Sequence, residues 1–219
     1  MRTNQEYKNA ALDRLRGNWS PAVVATLVYA FVVLLISGGS FSPILGDNAN
    51  LGLGLWFGGS GILISFFVAA PLQVGYENAT RLLYERRDIN VTRNMTDMAL
   101  SNYLHKVWGM FLMGLKLILW TMLFIIPGLV MAYAYAMTTY ILEEHPEYSA
   151  WDASTRSRQM MKGHKFDLFY LHLSFIGWFL LSIFTFGIGL LWLCPYVDVA
   201  TAAFYNDLKA EQGELAVND

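Results

Sequence analysis

Two ionisable residues, Lys116 and Asp198, lie inside long apolar stretches of this 219-residue chain. Lys116 lies ten positions after Lys106 and Asp198 lies eleven before Lys209, so on helices both would be roughly 15–17 Å from a polar boundary. A charge at that depth in hydrocarbon is costly unless it is paired or hydrated. We predict that Lys116 and Asp198 face each other as a buried polar pair, either in a substrate pathway or as an ion pair that holds two helices together. In a third interpretation, the Lys116 side chain extends to an interface.

Two further residues, Glu77 and His172, are secondary candidates for a polar site. Glu77 precedes Arg81 by four residues, and an ion pair within one helix is its ordinary interpretation. His172 is interpreted as a hydrogen-bonded packing residue rather than a ligand. The other histidines lack metal-ligand spacing, and the one cysteine, Cys194, permits neither a disulfide framework nor a multi-cysteine metal site. We therefore predict no metal site and no cofactor.

The distribution of basic residues indicates which elements must position these side chains. Fourteen of the fifteen Lys and Arg residues fall in four clusters, which three long apolar stretches separate. Lys and Arg accumulate in cytoplasmic segments beside membrane spans, so all four clusters are predicted to be cytoplasmic and each stretch must cross an even number of times. The clusters are Arg2, Lys8, Arg14 and Arg16; Arg81, Arg86, Arg87, Arg93 and Lys106; Arg156, Arg158, Lys162 and Lys165; and Lys209 alone.

Each apolar stretch is long enough for two membrane spans. Residues 107–142 as one helix would extend roughly 54 Å, whereas the hydrocarbon layer is about 30 Å thick. Pro127-Gly128 provides the break, because proline lacks a backbone donor and glycine tolerates reversed φ. We predict an all-α, polytopic membrane bundle of about six transmembrane helices in three hairpins, forming one integral membrane domain. The predicted spans are residues 20–36, 55–75, 107–126, 128–142, 167–186 and 187–205.

The remaining segments follow from this topology. Both termini are predicted to be cytoplasmic, with residues 206–219 as the C-terminal tail. Residues 38–54 are predicted to form an external loop, with Asp47 as its one charged residue, and residues 185–189 form the turn of the third hairpin. The span at 128–142 is shorter than usual, which allows a partial or tilted insertion.

Short interfacial helices are predicted for three cytoplasmic connections. The first, within residues 1–19, places Tyr7, Ala11 and Leu15 on one face. The second covers residues 92–106. The third begins at an N-cap, Ser149, with an acidic residue three positions on, and ends before Gly163.

The three hairpins resemble one another, since each ends on an aromatic residue followed by an acid. Repeated hairpins occur in transporters, where sites lie between repeats; the similarity here is one of topology, so internal duplication and its absence both stay open. The exits are Leu83-Tyr84-Glu85, Tyr140-Ile141-Leu142-Glu143 and Phe204-Tyr205-Asn206-Asp207.

Several motifs identify a family resemblance. They are Leu119-Trp120, Ile126-Pro127-Gly128, Tyr133-Ala134-Tyr135, Ser157-Arg158-Gln159-Met160-Met161-Lys162-Gly163-His164-Lys165, Leu173-Ser174-Phe175-Ile176-Gly177-Trp178, Gly187-Ile188-Gly189-Leu190-Leu191-Trp192 and Pro195-Tyr196. Together they resemble the DUF975 family of bacterial integral membrane proteins, over nearly the whole chain and most specifically in its C-terminal half. The resemblance implies a multi-helix protein of the bacterial inner membrane and assigns no biochemical role.

Three classes of function remain open from the sequence. A non-enzymatic role in assembling, scaffolding or protecting membrane components fits the absence of a catalytic constellation, since Ser174 and Ser182 lack a nearby acid–base set. A small transporter or channel-like protein fits the hairpins and the polar pair Lys116/Asp198. An intramembrane enzyme acting on lipid is the third. The predicted partners are the bilayer, other membrane proteins or a second copy of the chain, and no nucleic acid.

Overall fold

The computed structural model describes residues 2–38, 51–86, 90–123, 125–185 and 187–217, and the side chains of 2–33, 67–85, 90–121, 127–185 and 187–213. All regular elements in these ranges are α-helices, and none of the described residues is in a β-strand, which confirms the all-α class. The helices are α1 (Asn4–Leu15), α2 (Trp19–Gly38), α3 (Leu51–Arg86), α4 (Val91–Leu100), α5 (Tyr103–Leu123), α6 (Ile125–Ala134), α7 (Thr138–Glu144), α8 (Ala150–Met160), α9 (Lys165–Leu173), α10 (Ile176–Phe184) and α11 (Leu190–Val217).

Each apolar stretch contains helices where spans are predicted, but the structure alone identifies fewer candidate crossings. In the described part of the chain, one helical segment, Lys165–Phe184, is both long and apolar enough to cross a membrane. A shorter apolar helical segment is Trp19–Val33. The predicted external loop at residues 38–54 lies largely outside the described residues.

The predicted surface helices α1 and α8 are present, and local side-chain chemistry explains where they begin. Thr3 and Glu6 form a reciprocal capping box at the start of α1. Ser149 accepts a hydrogen bond from the Asp152 backbone N–H at 3.1 Å, as predicted for α8. Gly163, beyond the end of α8, has a φ of +94° that L-residues rarely adopt. Tyr7, Ala11 and Leu15, which were predicted to share one face of α1, are all buried.

Two predicted boundaries are wrong. The predicted helix over residues 92–106 is two helices, because Asn102, between α4 and α5, adopts a φ of +47°. The turn predicted at Pro127-Gly128 is also misplaced. The helix α6 begins earlier, at Ile125, and includes both residues. Proline is accommodated there because the first N–H groups of a helix have no partner within it.

The short span predicted at residues 128–142 is a broken helix, and a side chain from α8 binds at the break. Ser157 Oγ donates to the Ala134 carbonyl at the end of α6 at 2.9 Å and accepts from the Met137 N–H before α7 at 3.2 Å. A second break separates α9 from α10, where Lys8 Nζ on α1 donates to the Ser174 carbonyl at 2.6 Å. Side chains of α8 and α1, the two helices predicted to lie at the surface, thus form hydrogen bonds with backbone groups that have no helical partner at the two breaks.

Many large apolar side chains point outward, particularly on α5 and α10. On α5 a stripe at helical spacing runs through Leu104, Trp108, Phe111 and Leu115, with Leu104 77% exposed. The outer residues of α10 behave similarly, up to Phe184 at 83% exposure. Apolar surface on this scale is unusual for a protein surrounded by water.

Candidate polar sites

Lys116 contacts α8. Its ammonium group donates to Ser154 Oγ and lies 3.7 Å from the centroid of the Trp151 ring. The Tyr135 ring is further away, at 5.6 Å. A cation over an indole face is favourable, so the long Lys116 side chain is held by α8.

The contact between Lys116 and Ser154 was not visible from the sequence, and a serine beside a lysine can act as a nucleophile with its base. Here Ser154 is only 1% exposed, and its hydroxyl donates to the Trp151 carbonyl at 2.9 Å. A substrate carbonyl therefore has no route to the oxygen. We interpret the contact as one that fixes α5 on α8.

Asp198 lies on α11 beside a different set of residues. The Tyr76 hydroxyl of α3 lies next to its carboxylate and accepts or donates a hydrogen bond of 2.8 Å with Thr26 Oγ1 of α2. The Tyr76 ring also stacks on Tyr29, with centroids 5.3 Å apart. Glu77 is close enough to interact electrostatically with Asp198.

The predicted pairing of Lys116 with Asp198 is not observed. Among the described side chains the two do not form an ion pair. The helix α5 packs on α3, α6 and α8, whereas α11 packs on α1, α2 and α3. Equal depth along two helices does not determine which helices are neighbours or which way a side chain points around the axis, and those two quantities decide the contact.

Glu77 also has different partners from those predicted. Its Oε2 accepts from Thr139 Oγ1 of α7, and its Oε1 accepts from Gln73 Nε2 at 3.0 Å. Arg81 instead forms an ion pair with Glu144. The four-residue spacing allows an ion pair within α3, but the carboxylate of Glu144 on α7 reaches the guanidinium instead.

Glu144 is the centre of a polar network that the sequence analysis did not identify. Besides Arg81, it accepts from Tyr205 Oη at 2.5 Å and from Lys209 Nζ at 2.7 Å. Burial by itself raises the pKa of Glu144, but hydrogen bonds from Lys209 and Tyr205 and the Arg81 charge outweigh it and leave the pKa below its usual value. Two of the aromatic-plus-acid exits meet here, since Tyr140 stacks on Tyr205 at 4.9 Å.

His172 has the structural environment that was predicted for it. Its Nε2 lies 3.1 Å from Thr201 Oγ1 on α11, and its ring packs beside Tyr133. In the described part of the chain, no group of three or more His, Cys, Asp or Glu side chains is arranged to hold a metal ion.

A cavity connects the residues around Asp198. It has a volume of about 690 Å³ and lies between α2, α3, α10 and α11. Its polar groups are contributed by Thr26, Gln73, Tyr76, Glu77 and Asp198. The rest of its wall consists of Cys194, Gly187 and aliphatic and aromatic side chains. The cavity reaches Asp198 and Glu77, and Lys116 is not part of its lining.

Residues 125–212 match a protein family of unknown function, DUF975. The DUF975 match begins with α6 and extends into α11, so it includes Asp198 and Glu144 and excludes Lys116 and Glu77. It supports the family resemblance over a shorter range than the motifs suggested. No curated protein and no solved structure matches the chain.

Proposed function

We propose that this chain is a non-enzymatic, multi-span protein of the bacterial inner membrane that acts as a small transporter or channel-like protein. The observation that carries the proposal is the cavity of about 690 Å³ with Asp198 and Glu77 in its wall. In a bundle surrounded by lipid, ionisable groups that line a cavity are typical of substrate or ion pathways. The sequence alone favours the assembly, scaffold or protective role and leaves transport as its alternative, whereas the cavity favours transport.

The membrane part of the proposal is supported by sequence and surface together. The four basic clusters alternate with apolar stretches, and α5 and α10 expose large apolar side chains that lipid tails would cover. In the proposed topology, six spans form three hairpins, both termini are cytoplasmic, and the bilayer is the principal partner.

The two broken helices give the transport proposal further support. Interrupted helices at membrane depth are tolerated where other groups satisfy the released backbone, and in transporters they are found beside substrate sites. Here the side chains of Ser157 and Lys8 form hydrogen bonds with the backbone groups at the two breaks. The break between α9 and α10 lies in the same helical segment as Phe179, which lines the cavity.

A flux measurement tests the proposed function. The purified protein in liposomes is expected to conduct at least one of three cations, namely protons reported by a trapped pH dye, rubidium, or ethidium, faster than liposomes without protein. Asp198→Asn is expected to reduce the flux, because it removes a charge from the cavity wall. Asp207→Asn is the matched control, since Asp207 lies on the same helix and contacts Arg2. Flux no faster than through protein-free liposomes for all three cations would contradict the proposal.

An assembly role is the second candidate, and the apolar stripe on α5 favours it. Leu104, Trp108 and Phe111 lie on one helix face, and the Trp108 and Phe111 rings stack at 5.5 Å. Such a face fits a helix of another membrane protein or of a second copy as well as it fits lipid. If this role is correct, crosslinking from a cysteine at position 104 in native membranes yields a defined dimer or hetero-complex, and adding Trp108→Ala to that variant abolishes its formation.

An intramembrane enzyme acting on lipid stays the third and weakest class. The contact between Ser154 and Lys116 is one arrangement of nucleophile and base among the described residues. Its burial argues against catalysis, so the proposal here is that the protein is not an enzyme.

A further inference from the structure

The wall of the cavity around Asp198 contains two carboxyl groups, those of Asp198 and Glu77, with no matching cationic side chain among the described residues. Neither Asp198 nor Glu77 forms an ion pair with any Lys, Arg or His among the described residues. Their neighbours are neutral: Thr139 and Gln73 donate to Glu77, and the Tyr76 hydroxyl lies beside Asp198. Two carboxylates that face one cavity repel each other, and a cation between them would relieve that repulsion.

The same wall offers aromatic surface. Tyr29 and Tyr76 both line the cavity and stack with an interplanar angle of 13°. The hydrogen bond between Tyr76 and Thr26 holds one of the two rings in place. Because the face of an aromatic ring attracts cations, this surface adds to the attraction that the carboxylates exert.

Size and polarity decide between classes of cation. Inorganic divalent cations need about six oxygen ligands or retain water, whereas most of this wall consists of aliphatic and aromatic side chains, including Ala30, Val33 and Phe179. A volume of about 690 Å³ is within the range of sites for small organic molecules. An apolar wall with a localised negative charge complements a molecule that has an apolar body and one positive charge.

We infer that the cavity between α2, α3, α10 and α11 binds a lipophilic organic monocation, such as an amine or a quaternary ammonium or phosphonium ion, with its charge beside Asp198 and Glu77. This inference rests on the proposed transport function and specifies its substrate class. The apolar body of the ligand would occupy the part of the cavity near α10, where Phe179 contributes to the wall.

Equilibrium dialysis of the full-length protein in detergent tests the inference with two ions of the same shape and opposite charge. Tetraphenylphosphonium is expected to bind saturably, and tetraphenylborate is expected not to bind. Asp198→Asn and Glu77→Gln should each weaken tetraphenylphosphonium binding about tenfold or more, because each removes a charge that attracts the ion. Asp207→Asn should leave it unchanged, and Asp198→Glu should retain most of it.

A variant that leaves both carboxylates in place covers the case in which their substitution prevents folding. Ala30→Phe adds a ring to the cavity wall, so it should block tetraphenylphosphonium by occupying its volume. Equal binding of the two ions, or binding of tetraphenylphosphonium that neither the charge variants nor Ala30→Phe weaken, would overturn the inference.

The outcomes also separate this inference from the proposed function. Saturable, Asp198-dependent binding of tetraphenylphosphonium without flux of any cation would support the site and contradict transport. Flux of protons or rubidium that depends on Asp198, without tetraphenylphosphonium binding, would support transport and contradict this substrate class.

Discussion

At the scale of single residues, the sequence identified the unusual side chains correctly and predicted the wrong partners for them. Lys116 and Asp198 stand out in the sequence because a charge is costly in an apolar stretch. Both have neighbours that stabilise them, but Lys116 contacts Trp151 and Ser154, and Asp198 lies beside Tyr76. Hydropathy reports that a charge needs a partner, and it contains no information about which side chain on another helix provides it.

The separation of Lys116 from Asp198 predicts independent energetic effects. In a double-mutant cycle, Lys116→Met and Asp198→Asn should change the free energy of unfolding additively within about 0.5 kcal/mol. Lys116→Met and Trp151→Leu should instead be coupled by about 0.5–2 kcal/mol, because they share the cation–π contact. Equilibrium unfolding in detergent measures both cycles. A coupling above about 1 kcal/mol between Lys116 and Asp198 would restore the original pairing hypothesis.

The lowered pKa of Glu144 predicts a dependence of stability on pH. Since the folded protein favours its ionised form, the stabilisation is complete above the unfolded pKa, about 4.5, and is lost as pH falls through the lower folded pKa. We expect Glu144→Gln to reduce the free energy of unfolding by about 2 kcal/mol at neutral pH. It should also flatten the decrease in stability as pH falls below about 5.

The control for Glu144 is Asp13→Asn, since Asp13 is exposed and its ion-pair partner among the described residues is Arg16, one turn away. This variant should retain the pH profile of the unchanged protein. Unfolding at a series of pH values measures the effect, and identical profiles for Glu144→Gln and the unchanged protein would contradict the assignment.

At the scale of elements, close approach between helices depends on particular glycines. A Cβ atom at Gly75 would lie 2.3 Å from the Met95 carbonyl oxygen and 2.9 Å from the Ala99 nitrogen. Both are backbone atoms, so α4 itself would have to move. A Cβ at Gly114 in α5 would meet nothing within 4 Å. Sequence alone does not distinguish these glycines, because both lie in helices rich in apolar residues.

The different surroundings of Gly75 and Gly114 predict that substitution by alanine changes the stability of the protein in opposite directions at the two positions. Gly75→Ala should destabilise the protein by about 1–3 kcal/mol through overpacking between α3 and α4. Gly114→Ala should be neutral or stabilising by up to about 1 kcal/mol, because alanine is the better helix former. Thermal unfolding in detergent compares them, and equal destabilisation by both substitutions would contradict the close packing of α4 on α3 at Gly75.

Element boundaries were predictable where the signal is local and were missed where it is not. The capping box of α1 and the N-cap of α8 use side chains within three residues of the helix start, so their motifs are visible in the sequence. The break between α6 and α7 is satisfied by Ser157, twenty residues after Met137. No sequence motif near residues 135–137 predicts that contact.

For the whole molecule, the proposed topology predicts the accessibility of each surface. In a Cys194→Ser background, a cysteine at Ile188 should react with a membrane-impermeant maleimide in intact cells. Cysteines at Asp13 and Lys162 should react only after permeabilisation, because both lie in the segments that carry the basic clusters. Labelling of all three positions in intact cells, or of Asp13 and Lys162 alone, would contradict the three-hairpin arrangement.

The sequence by itself determined that the chain is helical, that Ser149 caps α8, and which charges are unusual. These properties depend on hydropathy, on the distribution of basic residues and on neighbours a few positions away. Only the tertiary structure decided that Asp198 shares a cavity with Glu77 and Tyr76 while Lys116 contacts α8. The physical reason is that contacts between distant helices depend on their order and rotation in the bundle, which the summed packing of many side chains determines and no single motif encodes.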